Sequence, residues 1–192
     1  MTDVSQDFLR DWYTREAIRE GHHQRNIYSM PWSQRRMARI KKLLKPMIQG
    51  ARVLDLGCAE GMYTSWIADN GAAEVVGVDL VQVKLDRADQ RPNVRYVCAS
   101  WDDLPEEQLG HFDVALASEV LEHALDPEAV MATLRRIADV IVATSPIAEP
   151  EPDDPWYIQG HLRAYRLDTF RALFERVDHC EGDGLYAYVV GR

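Results

Sequence analysis

The chain has 192 residues, 46% of them hydrophobic, enough for the full core of one ordinary domain. Its 22 basic and 31 acidic residues leave a net charge of −9, which argues against a broad phosphate-binding surface and so against duplex DNA or long RNA as partner. The three cysteines, Cys58, Cys98 and Cys180, are odd in number and far apart, so they suggest neither a disulfide framework nor a Cys-x-x-Cys metal pair.

From the N-terminus, residues 5–20 read as a helix carrying Phe8, Leu9, Trp12, Tyr13 and Ile18. Residues 21–32, with His22, His23, Tyr28, Pro31 and Trp32, read as a loop. The opening residues carry neither the basic nor the apolar stretch of a secretion signal. No apolar run approaches the roughly 18 residues that span a bilayer. A cytoplasmic protein is the expectation. Residues 33–48 read as a second helix stopped by Gly50, and its basic run from Gln34 to Lys42 reads as a solvated face.

Strands are then expected near 52–56, 75–79, 94–98, 113–117 and 139–144, and helices near 61–69, 81–89, 127–137 and 167–176. Such alternation implies an α/β fold with a doubly wound, mostly parallel sheet. Arg176 to Arg192 carries Gly182-Asp183-Gly184 between two strand-like runs, a terminal antiparallel hairpin.

The first strand runs Val53-Leu54-Asp55-Leu56 into Gly57-Cys58-Ala59-Glu60-Gly61, and eighteen residues after Gly61 the second strand delivers Asp79, followed by Leu80. Glycines in such a turn let the backbone approach a ligand, and a carboxylate at the tip of the next strand suits the two hydroxyls of a ribose. A dinucleotide site would read Gly-x-Gly-x-x-Gly and hold a pyrophosphate at the helix N-terminus. Here Asp55 and Glu60 flank the turn, which repels a pyrophosphate and suits a cationic ligand.

With the downstream Phe112-Asp113-Val114-Ala115-Leu116-Ala117-Ser118-Glu119-Val120-Leu121-Glu122-His123, this pattern resembles the class I S-adenosylmethionine (SAM)-dependent methyltransferases of the small-molecule type. The resemblance covers residues 37–192 and implies a Rossmann-like, seven-stranded sheet, with residues 1–36 as a helical cap over the substrate. It implies SAM as cofactor, leaving S-adenosylhomocysteine (SAH), and cofactor contacts from Asp55, Gly57, Cys58, Ala59, Gly61, Asp79, Leu80, Ser118 and Glu119. Ala59 stands where the family often has a second close glycine. Ser100 replaces the acid that usually bonds the adenine amine, so adenine recognition falls to Ser100, Trp101 or Asp102.

Methyl transfer needs a placed nucleophile and, for a hydroxyl, a base. His161, His123 and Tyr157 are the candidate catalytic groups, with Glu119 and Glu122 nearby in sequence. Glu119-x-x-Glu122-His123 with His161 further on also resembles the divalent-metal site of small-RNA 2′-O-methyltransferases and of some ubiquinone-pathway O-methyltransferases; a mixed O/N ligand set of this kind suits such an ion. Against a metal, the same string is common in metal-free relatives. Residues 146–160, acidic and with four prolines, read as a substrate lid holding Glu149, Glu151, Asp153, Asp154, Trp156 and Tyr157. Three functions compete: transfer to a hydroxyl or amine of a small molecule, such as a natural product, sugar or quinone precursor; metal-assisted methylation of an RNA ribose; and a non-catalytic SAM-binding partner subunit.

Overall fold

The structure, a computed structural model, describes residues 4–20, 29–147 and 161–192. Its sheet has seven strands in the order β3-β2-β1-β4-β5-β7-β6. These are β1 (Arg52–Leu56), β2 (Glu74–Asp79), β3 (Val94–Cys98), β4 (Phe112–Ser118), β5 (Ala138–Pro146), β6 (Val177–Gly182) and β7 (Tyr186–Gly191). The first five pair in parallel, while β7 runs antiparallel to both β5 and β6. The doubly wound sheet and its terminal hairpin are those expected from the sequence.

Strand residues alternate strictly between two cores. Leu54, Leu56, Val76, Val78, Ala115 and Ala117 face one. Val53, Val75, Val114, Leu116 and Val142 face the other. Burial on both faces is what makes these strands read as continuous apolar runs. The first core is covered by α1 (Gln6–Glu20) and α6 (Pro127–Ile137), the second by α2 (Pro31–Leu44) and α3 (Met62–Asp69). Pro127 at the first turn of α6 and the Asp126 side chain, which accepts from Ala129 N at 3.0 Å, fix that helix start.

Several bounds differ from the sequence expectation. The second helix begins at Pro31 and ends at Leu44, because Pro31 supplies the preset φ of a helix start. It runs unbroken through residues 36 and 37. The helix expected over 81–89 is a single turn, α4 (Gln82–Leu85), and Pro92 downstream disfavours helical backbone at Arg91. A short α5 (Glu106–Leu109) follows Pro105, where no helix was expected. The helix expected over 167–176 closes as α7 (Leu167–Arg171), since Arg176 already exchanges two 2.8 Å backbone bonds with Arg192 at the foot of the hairpin. No helix among the described residues is long and apolar enough to cross a membrane.

Candidate active site at the carboxyl ends of β1, β2 and β4

Strand order reverses at β1, which lies between β2 and β4, and a crevice opens outside the carboxyl ends of strands at such a point. The turn after β1 holds three residues in left-handed backbone, Gly57 (φ 72°), Ala59 (φ 50°) and Gly61 (φ 76°). A Cβ on Gly57 would come 2.5 Å from Val120 Cγ2, and one on Gly61 would come 2.3 Å from the Tyr96 hydroxyl, so only glycine fits either place. Gly57 N and Cys58 N both donate to Val78 O, at 2.7 and 3.0 Å, which ties the turn to β2.

Asp79 stands at the tip of β2 and is buried. Its Oδ2 accepts from Ala59 N and its Oδ1 from Val81 N, each at 2.9 Å. The carboxylate is therefore fixed, and each oxygen keeps a lone pair for a ligand hydroxyl. Asp55, near the end of β1, is buried and accepts from the Thr64 hydroxyl at 2.5 Å. Burial pushes its carboxyl up to about 7, against the pull of the Thr64 bond. Burial likewise raises the Cys58 thiol well above its usual range, so Cys58 acts as a small apolar group. Leu80 is buried in the first core.

Ser100 and Trp101 follow β3 and are both buried. Trp101 Nε1 has no hydrogen-bond partner among the described residues, an orphaned donor at the crevice. Asp102 is tied to the next loop. Its carboxylate accepts from Leu125 N at 3.0 and 3.3 Å and from Asp126 N at 3.2 Å, so it holds the loop after β4. The Ser100 hydroxyl accepts from Asp102 N at 3.2 Å.

That loop carries the acid-base groups. Ser118 Oγ lies 3.1 Å from Thr144 Oγ1. Glu119 has left-handed backbone (φ 59°); its Oε2 is 2.7 Å from Arg36 Nη1, and its Oε1 accepts from the Thr144 hydroxyl at 3.0 Å. Glu122 is 1% exposed, accepts from the Ser145 hydroxyl at 3.2 Å through Oε2, and has an Oε1 without a hydrogen-bond partner among the described residues. Burial and the neighbouring Glu119 hold the Glu122 carboxyl well above its usual range.

The rings of His123 and His161 meet edge to face, 4.6 Å between centroids. Glu122, His123 and His161 each place a ligand atom within 4.8 Å of the others, a group able to hold a divalent ion. Glu119, expected in the same set, turns instead to Arg36 and Thr144. Burial lowers the His161 imidazole below its ordinary value, so it is neutral at pH 7. Tyr13 of α1 reaches over the crevice and brings its hydroxyl to 2.5 Å from His123 Nδ1. Its ring also stands edge-on to Trp101, 6.2 Å away. Leu9 and Ala17 seat α1 in the first core, and Arg87 donates to Ala17 O at 3.0 Å.

The structure thus gathers His123 and His161, while Tyr157, Trp156 and the acidic lid residues, like His22 and His23, lie outside the described residues. Tyr13 belongs to the helix read from the sequence as a cap, but its pairing with His123 does not show there. Two further residues escape the sequence reading. Thr64 carries no motif of its own. Arg36 sat in a run read as a solvated face, yet it is 7% exposed and its guanidinium lies over the Trp32 and Tyr186 rings.

A family model described as a methyltransferase domain matches residues 21–179. The chain belongs to the class I SAM-dependent methyltransferases. Ubiquinone biosynthesis O-methyltransferases are similar to this methyltransferase. The protein of that name from Hahella chejuensis is 30% identical over 138 residues, 69% of this chain and 54% of its own length. That from Neisseria meningitidis serogroup C is 34% identical over 90 residues, 44% of this chain and 38% of the relative. The methyltransferase thus spans about half or less of the length of these curated relatives. Among solved structures, magnesium protoporphyrin IX methyltransferase from Synechocystis PCC 6803 with bound SAH superposes with a TM-score of 0.74, at 15% identity, over 97% of this chain and 98% of that one.

The residues present fit the cofactor of the family. The turn leaves no room for a Cβ at Gly57, Asp79 offers a fixed carboxylate to ribose, and Trp101 Nε1 is a buried donor awaiting an acceptor. Asp55 and Asp79 make the pocket acidic, which suits a sulfonium and an ammonium.

Proposed function

We propose that this methyltransferase methylates a hydroxyl group of a small-molecule acceptor, with an amine as the second acceptor class. The observation that carries the reading is the pair of imidazoles beside the crevice, His161 neutral through burial and His123 in contact with the Tyr13 phenol. A hydroxyl must lose its proton as its oxygen attacks, and a neutral imidazole is a competent base for that step. SAM supplies the electrophilic methyl group, whose carbon leaves sulfur as the new C–O bond forms. His161 takes the acceptor proton, His123 orients the acceptor oxygen, and Asp55 and Asp79 hold the cofactor. The likeness to ubiquinone biosynthesis O-methyltransferases supports an oxygen acceptor.

The test is SAH formation from SAM by the purified chain across a panel of catechols, phenols, sugars and amines. His161→Gln should lower turnover at least about tenfold while SAH affinity, read by calorimetry, stays unchanged. Turnover with amines only would overturn the oxygen assignment. A collapse of SAH binding in His161→Gln would make that residue structural.

A second reading, a metal-assisted transfer, rests on the three convergent ligand atoms of Glu122, His123 and His161. A divalent ion held there would acidify the acceptor hydroxyl directly. Turnover that vanishes with chelator and returns with Mn²⁺ or Mg²⁺ would favour it. An RNA acceptor fits the net charge of −9 poorly.

A further inference from the structure

We propose that Arg163 is a positioning residue that sets His161 against His123. This rests on the reading of the two imidazoles as the acceptor-side groups. Arg163 lies two residues beyond His161, and its guanidinium reaches across to the loop after β4. Nη1 donates to Leu121 O at 3.0 Å and to Ala124 O, and Nη2 donates to Leu125 O at 3.2 Å. These three carbonyls flank Glu122 and His123 on both sides. Two neighbours of Arg163 grip the same loop: Leu162 N donates to Glu122 O at 2.8 Å, and the Tyr165 hydroxyl donates to Leu121 O at 3.2 Å.

The opposite side of the loop is held by an opposite charge. Asp102 takes the Leu125 and Asp126 amides while Arg163 takes the carbonyls, so one short turn is clamped by a cation on its C=O groups and an anion on its N–H groups. The planar guanidinium satisfies several carbonyls in one geometry, which a lysine ammonium does not reproduce. His161 opens the described segment after β5, and Leu162, Arg163 and Tyr165 join that segment to the His123 loop. Without the guanidinium, the loop keeps Asp102 but loses three bonds to the segment that carries His161.

The experiment reads the contact between the imidazoles without needing turnover. The NOE between the His161 and His123 rings, 4.6 Å apart between centroids, is recorded at one fixed pH on the full chain as wild type, Arg163→Met and Arg163→Lys, alongside SAH calorimetry and acceptor kinetics. In Arg163→Met, the NOE is expected to be lost and turnover to fall. SAH affinity should stay within about twofold, because Asp55, Gly57 and Asp79 belong to other elements. Arg163→Lys should fall between. An unchanged NOE in a variant that binds SAH would overturn the proposal. So would loss of SAH binding in both variants, which would make Arg163 a fold residue. Failure of the acceptor reading leaves a distinct mark: the NOE is lost as expected, but the wild type turns over no hydroxyl acceptor.

Discussion

The Tyr13 hydroxyl and His123 Nδ1 approach to 2.5 Å across 110 residues of chain. Burial, with the charges of Glu122 and Asp79 close by, raises the Tyr13 phenol far above its ordinary range, so it remains an O–H donor at any pH the fold survives. Where the phenol donates to Nδ1, the imidazole proton sits on Nε2. The N-terminal helix thus touches the His123 ring directly. Tyr13→Phe keeps the ring and deletes the bond. Stability should fall by about 1 kcal/mol, and turnover should drop while SAH affinity holds. Equal turnover in the variant would reduce Tyr13 to packing.

Asp79 offers the most direct test of the cofactor pocket. Its oxygens are oriented by Ala59 N and Val81 N before any ligand arrives. Two hydroxyl bonds to a carboxylate contribute about 1.5–3 kcal/mol each at most. Asp79→Asn should therefore weaken SAH by roughly ten- to a hundredfold in calorimetry. Unchanged affinity would remove the ribose assignment.

What the sequence made legible was whatever is contiguous. Strands β1 to β5 appear as short apolar runs, and the cofactor turn is one uninterrupted string from Asp55 to Gly61 with Asp79 at the next strand tip. What stayed hidden depends on pairs brought together by the sheet order: Tyr13 with His123, Arg36 with Glu119, Arg163 with Leu121. None of these has a local signature. Arg36 misled for a physical reason. A basic run on a helix is normally solvated, but α2 turns one position in three or four inward, and Arg36 shares the buried face with Ser33, Ile40 and Leu44. The bonds from Asp102 to two amides of the next loop have no local signature either.

Ala59 carries a conformational strain that its family position foretells. A left-handed backbone brings the alanine Cβ too close to its own carbonyl, at a cost of about 1–2 kcal/mol. Ala59→Gly should relieve that cost, partly offset by the greater freedom of glycine in the unfolded chain. Thermal melts of the apo protein should show a gain of a few tenths to about 1 kcal/mol, with SAH affinity retained. A marked loss of stability would mean that the Ala59 methyl, which is buried, contributes packing that outweighs the strain.

Asp55 couples folding to pH. Its folded carboxyl titrates at about 7 against an ordinary 3.8, with burial as the main cause. An acid raised on folding binds its proton more tightly in the native state. Its contribution is complete below the ordinary value and is lost as pH rises through about 7. The loss is on the order of 4 kcal/mol for a shift of that size. Asp55→Asn cannot ionise and can still accept from the Thr64 hydroxyl. The apo variant should match wild type near pH 4 and melt at a higher temperature near pH 8, while its affinity for the cationic cofactor falls. Parallel melting curves for the two proteins across that range would show that Asp55 is ionised in the fold, with its charge balanced by the polar groups of the turn.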